Sequence, residues 1–308
     1  MKRVISLSAM ALLLLSVGCL IQTPSTQIAN AQNVPVSDFN FAAVGDWGCT
    51  PNTNNTVNNI VGKNPQLVLG LGDYSYNPTS DECWFKIVKP IEDKMKIAIG
   101  NHDYRGTGEI YRYMNHFGLT QQYYSFNYKN IHFLALSTEI PFDVNSAQYK
   151  FVNNDLSKAA SNPNIDWIIA YYHRPMYTLP STHPAITSLR TIYHPLFEQY
   201  GVDLVLQGHN HNYQRTYPIK FNSVNPGHPI ETSTNTTNYT DPDGQIFVTV
   251  GTGGDSLYPF RGKEDYFVKQ YIGFGMLNVD ITNNGRTLTG KFYDNADGTT
   301  IDQFTIYK

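Results

Sequence analysis

Charge is scarce in this 308-residue sequence: 22 Lys and Arg face 25 Asp and Glu, only 15% of the chain, for a formal net charge of −3. Soluble domains average about 25% charged residues. So few charges exclude an ionic disordered chain and a nucleic-acid-binding protein built on a basic surface. Cysteine is scarcer still, at three residues, too few for a disulfide framework. Beyond the first 21 residues no apolar run is long enough to cross a bilayer. What is plentiful is core material, with 41% hydrophobic and 13% aromatic residues, and the length allows one large domain or two small ones.

The N-terminus decides which residues count as folded protein. Lys2 and Arg3 precede an apolar run from Val4 to Ile21, and a polar stretch then ends in Ala29-Asn30-Ala31. A basic start, an apolar middle and an A-x-A exit predict a secretion signal over residues 1–31. Because the run is near spanning length, an uncleaved anchor is the alternative. Val17-Gly18-Cys19 loosely resembles a lipoprotein cleavage site, but Ser16 stands where that pattern wants an aliphatic residue, which ranks lipidation below secretion. The expectation is a secreted, cell-surface or periplasmic protein with no stable membrane contact unless Cys19 is lipidated. Loss of Lys2 and Arg3 leaves 20 basic against 25 acidic residues, a charge of −5. It also leaves Cys49 and Cys83 in a disulfide-permissive compartment, as one local staple or as two buried thiols.

The remaining chain, 32–308, has short apolar runs at Phe39 to Val44, Gln66 to Leu71, Lys96 to Ile99, Ile131 to Ser137, Asp166 to Tyr172, Val202 to Leu206 and Gln245 to Val250. Each reads as a strand buried on both faces. Between them, Asp81 to Met95, Asn145 to Ala160 and Ala185 to Tyr200 have helical spacing, with Pro90 and Pro195 interrupting two of them. Strands alternating with helices predict an α/β sandwich with helices on both faces of its sheets. Residues 218–244, dense in Pro, Asn, Ser and Thr, read as a long surface loop. Met276 to Ile281, Thr287 to Asp294 and Asp302 to Tyr307 follow as strands, the first two joined by a turn at Asn283-Asn284-Gly285. No internal repeat and no linker divides this region, so a single domain is expected. Asn54, Asn235 and Asn238 are glycosylation sequons, relevant only in a host that glycosylates exported proteins.

Metal-capable residues follow five of these strands: Asp46 in GDWG, Asp73 and Tyr76 in GDYSY, Asn101 and His102 in GNHD, His173 after AYY, and His209 and His211 in GHNH. The carboxyl ends of strands in an α/β sheet are where loops converge on a ligand, and parallel neighbours would gather these residues at one place. Each motif alone has a structural reading; their occurrence in order, each behind a strand, is what points to a site.

This ordered set resembles the calcineurin-like metallophosphoesterases and, within them, the purple acid phosphatases. The resemblance runs from Asp46 to His211 and implies a four-layer double β-sandwich flanked by helices, with a binuclear metal site. By position, Asp46, Tyr76 and His211 would bind one metal together with Asp73, and Asn101, His173 and His209 would bind the second, Asp73 bridging the two. A phenolate suits Fe(III), while the imidazole and amide set suits a divalent Fe, Zn or Mn. Such a pair holds a phosphate ester and generates hydroxide for in-line attack on phosphorus. His102, next to Asn101, and His183, ten residues past His173, are implied as catalytic residues for proton transfer and phosphate orientation. Tyr76 separates this group from calcineurin-like relatives that share most of the metal set.

The first motif begins soon after the expected cleavage point, leaving no room for the N-terminal β domain of larger plant-like members. AYYH departs from the family's Val at the first position without touching the ligand. His116, His132, His194 and His228 read as structural or surface residues. Trp47 and Tyr104 are candidate pocket walls, and Arg105 and Arg174 flank motifs. The function expected is an exported acid phosphatase for small phosphate monoesters, with no nucleic-acid partner because the acidic balance offers no basic track. A phosphodiesterase or nucleotide pyrophosphatase on the same scaffold is the alternative, and a non-catalytic phosphate- or metal-binding surface protein ranks lower, since no ligand is missing.

Overall fold

The computed structural model describes residues 38–77, 81–104 and 109–308; the secretion signal over 1–31, Cys19 and Arg105 lie outside the described residues. The first third alternates β1 (Phe39–Val44), α1 (Pro51–Lys63), β2 (Leu67–Gly70), α2 (Asp81–Val88), β3 (Met95–Ile97) and α3 (Glu109–His116). Next come β4 (Tyr124–Tyr128), β5 (Ile131–Ala135), α4 (Ala147–Ala160), β6 (Trp167–Tyr171), α5 (Thr187–Tyr200) and β7 (Leu204–Gln207). The last third is all strand: β8 (Tyr213–Thr216), β9 (Ile219–Lys220), β10 (Ile230–Glu231), β11 (Asn238–Thr240), β12 (Ile246–Val250), β13 (Phe267–Tyr271), β14 (Gly275–Thr282), β15 (Thr287–Asp294) and β16 (Thr300–Tyr307).

Two seven-stranded sheets carry the fold. One has the order β11-β16-β15-β14-β1-β2-β3, the other β13-β8-β12-β7-β6-β5-β4. In the first, β1, β2 and β3 run parallel; in the second, β5, β6, β7 and β12 do. Period-two alternation sorts the second sheet's side chains into two cores. Phe133, Ile169, Leu206 and Val248 face the other sheet, and Phe133 meets Phe41 of β1 edge to face at 5.3 Å. Leu134, Ala170, Val205 and Phe247 face outward into a second cluster with Val152 and Leu156 of α4 and Leu189, Tyr193 and Phe197 of α5. On the far side of the first sheet, Asn40 and Asn278 turn outward, Asn40 donating to the Lys63 carbonyl at the end of α1. The layers are helix, sheet, sheet, helix, as the family resemblance implies.

The helices therefore cover one face of each sheet, not both as strand–helix alternation predicts. A short apolar run shows that both faces are buried, but not whether helix or sheet covers the second. Three local expectations also shift. Asp81 to Met95 is not one helix: α2 ends at Val88, because Pro90 offers no amide, and a 3₁₀ turn at Glu92–Lys94 leads into β3. Residues 218–244 are not wholly loop, since β9 pairs with β10 and β11 joins β16 with Tyr239 buried. Helix α1 is absent from the hydrophobic pattern, its Asn-rich sequence being held by buried Thr53, Thr56, Val57 and Ile60, with Thr50 capping the Thr53 amide and Pro51 opening the first turn. The hairpin at Asn283-Asn284-Gly285 forms, all three residues having positive φ. Cys49 and Cys83 are disulfide-bonded, tying the segment after GDWG to α2. Among the described residues no helix is long and apolar enough to cross a membrane.

Candidate metal centre

The parallel strands of the two sheets end at the same edge. Asp46, Asp73 and Asn101 follow β1, β2 and β3 of one sheet, and His173, His209 and His211 follow β6 and β7 of the other. His173 joins them, its Nδ1 lying 2.8 Å from the Leu71 carbonyl. Asp46, Asp73 and His209 have φ of 61°, 54° and 71°, left-handed values that cost a non-glycine residue roughly 1–3 kcal/mol each unless the surroundings hold them. Hydrogen bonds do: the Asp46 amide donates to Gly72 O (3.0 Å), the Asp73 amide to Asp103 Oδ2 (2.9 Å) and the His209 amide to Asp46 Oδ2 (2.8 Å). The motif glycines leave the room this crowding needs. A Cβ on Gly100 would stand 2.2 Å from Asp73 Oδ1, and one on Gly72, itself at φ +90°, 2.8 Å from His173 Nδ1.

All seven expected ligands come together. His173 Nε2 lies 3.2 Å from Asp73 Oδ2, 3.1 Å from Asn101 Oδ1 and 3.1 Å from His209 Nδ1. On the other side the Tyr76 hydroxyl is 2.9 Å from His211 Nε2 and 3.2 Å from Asp46 Oδ1. The imidazoles are pre-set: His173 and His211 each turn Nδ1 to a backbone carbonyl, of Leu71 and Ser256, leaving Nε2 facing the centre. Donor atoms of buried Asp73, His173 and His209 lie within 4.8 Å of one another, a possible metal-binding cluster.

The electrostatics fit a cation. Among the described residues the ion-pair partners of buried Asp46 and Asp73 are histidines, with no Lys or Arg. Carboxylates so buried require a compensating positive charge. In the protein alone, burial opposes protonation of His173, but the Asp73 carboxylate outweighs it and raises its pKa to about 10. His211 is raised likewise against burial by Asp46. Burial and then the charge of His173 hold His209 well below the usual range, so it stays neutral. Burial, Asp46 and Asp73 push the Tyr76 phenol far up. A bound cation would offset the pull of Asp46 and Asp73 on the Tyr76 phenol and favour the deprotonated imidazoles, since the largest local charge would then be positive.

His102 and His183 border the cluster. The His102 ring packs on Tyr76 with centroids 4.4 Å apart, and its amide donates to Asp73 Oδ1 at 2.7 Å. His183 stacks on His209 at 4.1 Å, its backbone clamped by Asn210, which accepts its amide and donates to its carbonyl. Trp47 does not wall a pocket: it is wholly buried, its ring edge-on to Trp84. Tyr104 is exposed, and Arg174 is paired bidentately with Glu139. His132 and His194 are buried and hydrogen-bonded within the cores.

Two residues escaped the sequence reading. Asp103, the last residue of GNHD, accepts the amides of Asp73, Tyr74 and Gly100, locking the loops after β2 and β3 together; its signal was its place inside a quoted motif. Tyr258 stacks on His211 with centroids 4.0 Å apart and planes 9° from parallel. Its only signal is the glycine-rich turn Gly251-Thr252-Gly253-Gly254 behind β12.

The sequence model of the calcineurin-like phosphoesterase family matches residues 39–213, and the chain belongs to that family. Its curated relatives are phosphatases, purple acid phosphatases prominent among them. Purple acid phosphatase 15 of Arabidopsis thaliana is 26% identical over 276 residues, 75% of this chain and 48% of that protein. The phosphoenolpyruvate phosphatase of Allium cepa is 29% identical over 295 residues, covering 86% and 59%. The solved purple acid phosphatase PPD1 from yellow lupin seeds shares the fold, with a TM-score of 0.78 at 23% identity over 88% of this chain and 54% of that one. The chain thus spans about half the length of the curated relatives it matches.

Proposed function

We propose that the chain is an exported acid phosphatase hydrolysing small phosphate monoesters at a binuclear metal centre within a single catalytic domain, 32–308, released from a signal over 1–31. The observation that carries the reading is the convergence of Tyr76, Asn101 and three histidines on two buried carboxylates that, among the described residues, have no Lys or Arg partner. In it Asp46, Tyr76 and His211 would hold Fe(III), and Asn101, His173 and His209 would hold a divalent Fe, Zn or Mn, with Asp73 available to both sets. When bound, such a pair would supply Lewis-acid charge for phosphoryl transfer. His102, with Nε2 3.9 Å from Asp73 Oδ2, holds a proton for the leaving oxygen. His183, fixed by Asn210 and the His209 stack, orients the phosphate. The Cys49–Cys83 bridge suits an oxidising, extracytoplasmic compartment.

The test combines metal analysis, visible absorption and turnover. Expected are two metals per chain, a visible band that Tyr76→Phe abolishes, and hydrolysis of p-nitrophenyl phosphate in preference to its bis-ester, fastest at acid pH. Preference for the diester would replace this reading with a phosphodiesterase or nucleotide pyrophosphatase. A fully loaded protein without turnover would make it a binding protein.

A further inference from the structure

Tyr258 is held more tightly than a packing residue at the rim of a site needs to be. Its amide donates to the His211 carbonyl at 2.9 Å, and its own carbonyl accepts from Asn212 Nδ2 at 3.3 Å. Its ring lies flat on His211 and meets the edge of His183 at 5.5 Å, so two imidazoles of the site fix its orientation. The loop that carries it is bound to the first motif: the amides of Gly253 and Asp255 donate to the carbonyls of Gly45 and Asp46 at 2.9 and 3.1 Å, and Thr50 donates to the Gly254 carbonyl at 2.8 Å. The phenol stands within electrostatic reach of Asp46, Asp255 and Asp73. Yet among the described residues no group is hydrogen-bonded to its hydroxyl, whereas the Tyr76 hydroxyl beside it contacts both Asp46 and His211. A ring held on its face by His211 and at its edge by His183, with a hydroxyl that no described residue engages, is a pre-positioned donor.

The geometry points to Tyr258 as a substrate-binding residue, its hydroxyl donating a hydrogen bond to an oxygen of the phosphate group bound at the metal centre. This rests on the phosphatase reading and deepens it. A phenol donates to an anionic oxygen without adding charge, so it can hold a phosphate beside two carboxylates without competing with cations for them. Held by the ring on His211 and the backbone on His211 and Asn212, the donor needs no reorganisation when the ester arrives.

The test is Tyr258→Phe, which keeps the ring on His211 and removes only the hydroxyl. In metal-loaded protein, the binding of inorganic phosphate is measured by calorimetry alongside metal content and kcat/KM for p-nitrophenyl phosphate. Expected are unchanged metal content and a loss of about 10- to 100-fold in both phosphate affinity and kcat/KM. Phosphate affinity equal to wild type overturns the assignment, and loss of metal overturns it in favour of a role in holding His211. If wild-type protein loads metal but neither binds phosphate nor turns over the ester, the phosphatase reading falls and the assignment falls with it; wild-type binding with an indifferent Tyr258→Phe removes the assignment alone.

Discussion

At the scale of single residues, His194 shows how burial sets a charge far from the metal centre. Its Nδ1 lies 2.7 Å from the Tyr177 hydroxyl and its Nε2 3.0 Å from Gln245 Oε1. Burial lowers its pKa to about 4, against the help of Gln245 and with Glu198 3.7 Å away. A histidine whose folded pKa lies below its unfolded value of about 6.5 stabilises the fold above that value, and the contribution is lost as pH falls towards 4. Stability to urea should therefore decline between about pH 6.5 and 4 by up to about 3 kcal/mol from this group. His194→Gln should flatten that slope; an identical slope in the variant would show that other groups set the acid limit. His194 could be set aside from the site by sequence, since no motif surrounds it, but its neutrality depends on burial that only the fold supplies. Tyr258 was illegible for the same reason, its neighbours His211 and His183 being assembled only by the fold.

Among the elements, the turn before α1 is joined to α2 beside the metal motifs. The bridge between Cys49 and Cys83, Cα atoms 5.9 Å apart and 34 residues apart in sequence, encloses the second motif and links the segment after Asp46 to the helix after Tyr76. Closing a loop of that length is worth about 4 kcal/mol in the chain-entropy account. The double substitution Cys49→Ser, Cys83→Ser should lower unfolding stability by up to that amount and also weaken metal retention. A variant with unchanged stability would place the bridge outside the cooperative unit. Strands β1, β2, β5, β6, β7 and β12 were legible because their residues are buried on both faces and so read as unbroken apolar runs, whereas β4, β8 and β13 were not. Helix α1 was not, because Asn and Thr are poor helix formers and what keeps Pro51–Lys63 helical is its cap and the sheet beneath it.

Across the whole molecule the two sheets are pinned by a buried ion pair. Arg215 of β8 reaches Asp302 of β16 through Nε at 2.6 Å and Nη2 at 2.9 Å, and the Tyr213 hydroxyl donates to the same carboxylate at 2.8 Å. Asp302→Ala would leave a guanidinium buried without its partner and should cost about 3–5 kcal/mol in chemical denaturation. Replacing both partners by Met and Leu should recover most of that loss; a double variant no better than the single would show that the pair's geometry, not its charge, joins the sheets. The amino-acid sequence by itself determined the buried strands that carry the motifs, the motif behind each strand end and the chemical character of the donors, because these follow from local polarity and residue type. Only the tertiary structure decided which sheet covers which face and that Asp103 and Tyr258 belong to the site. Those facts rest on contacts between segments far apart in the chain, and local periodicity carries no record of such partners.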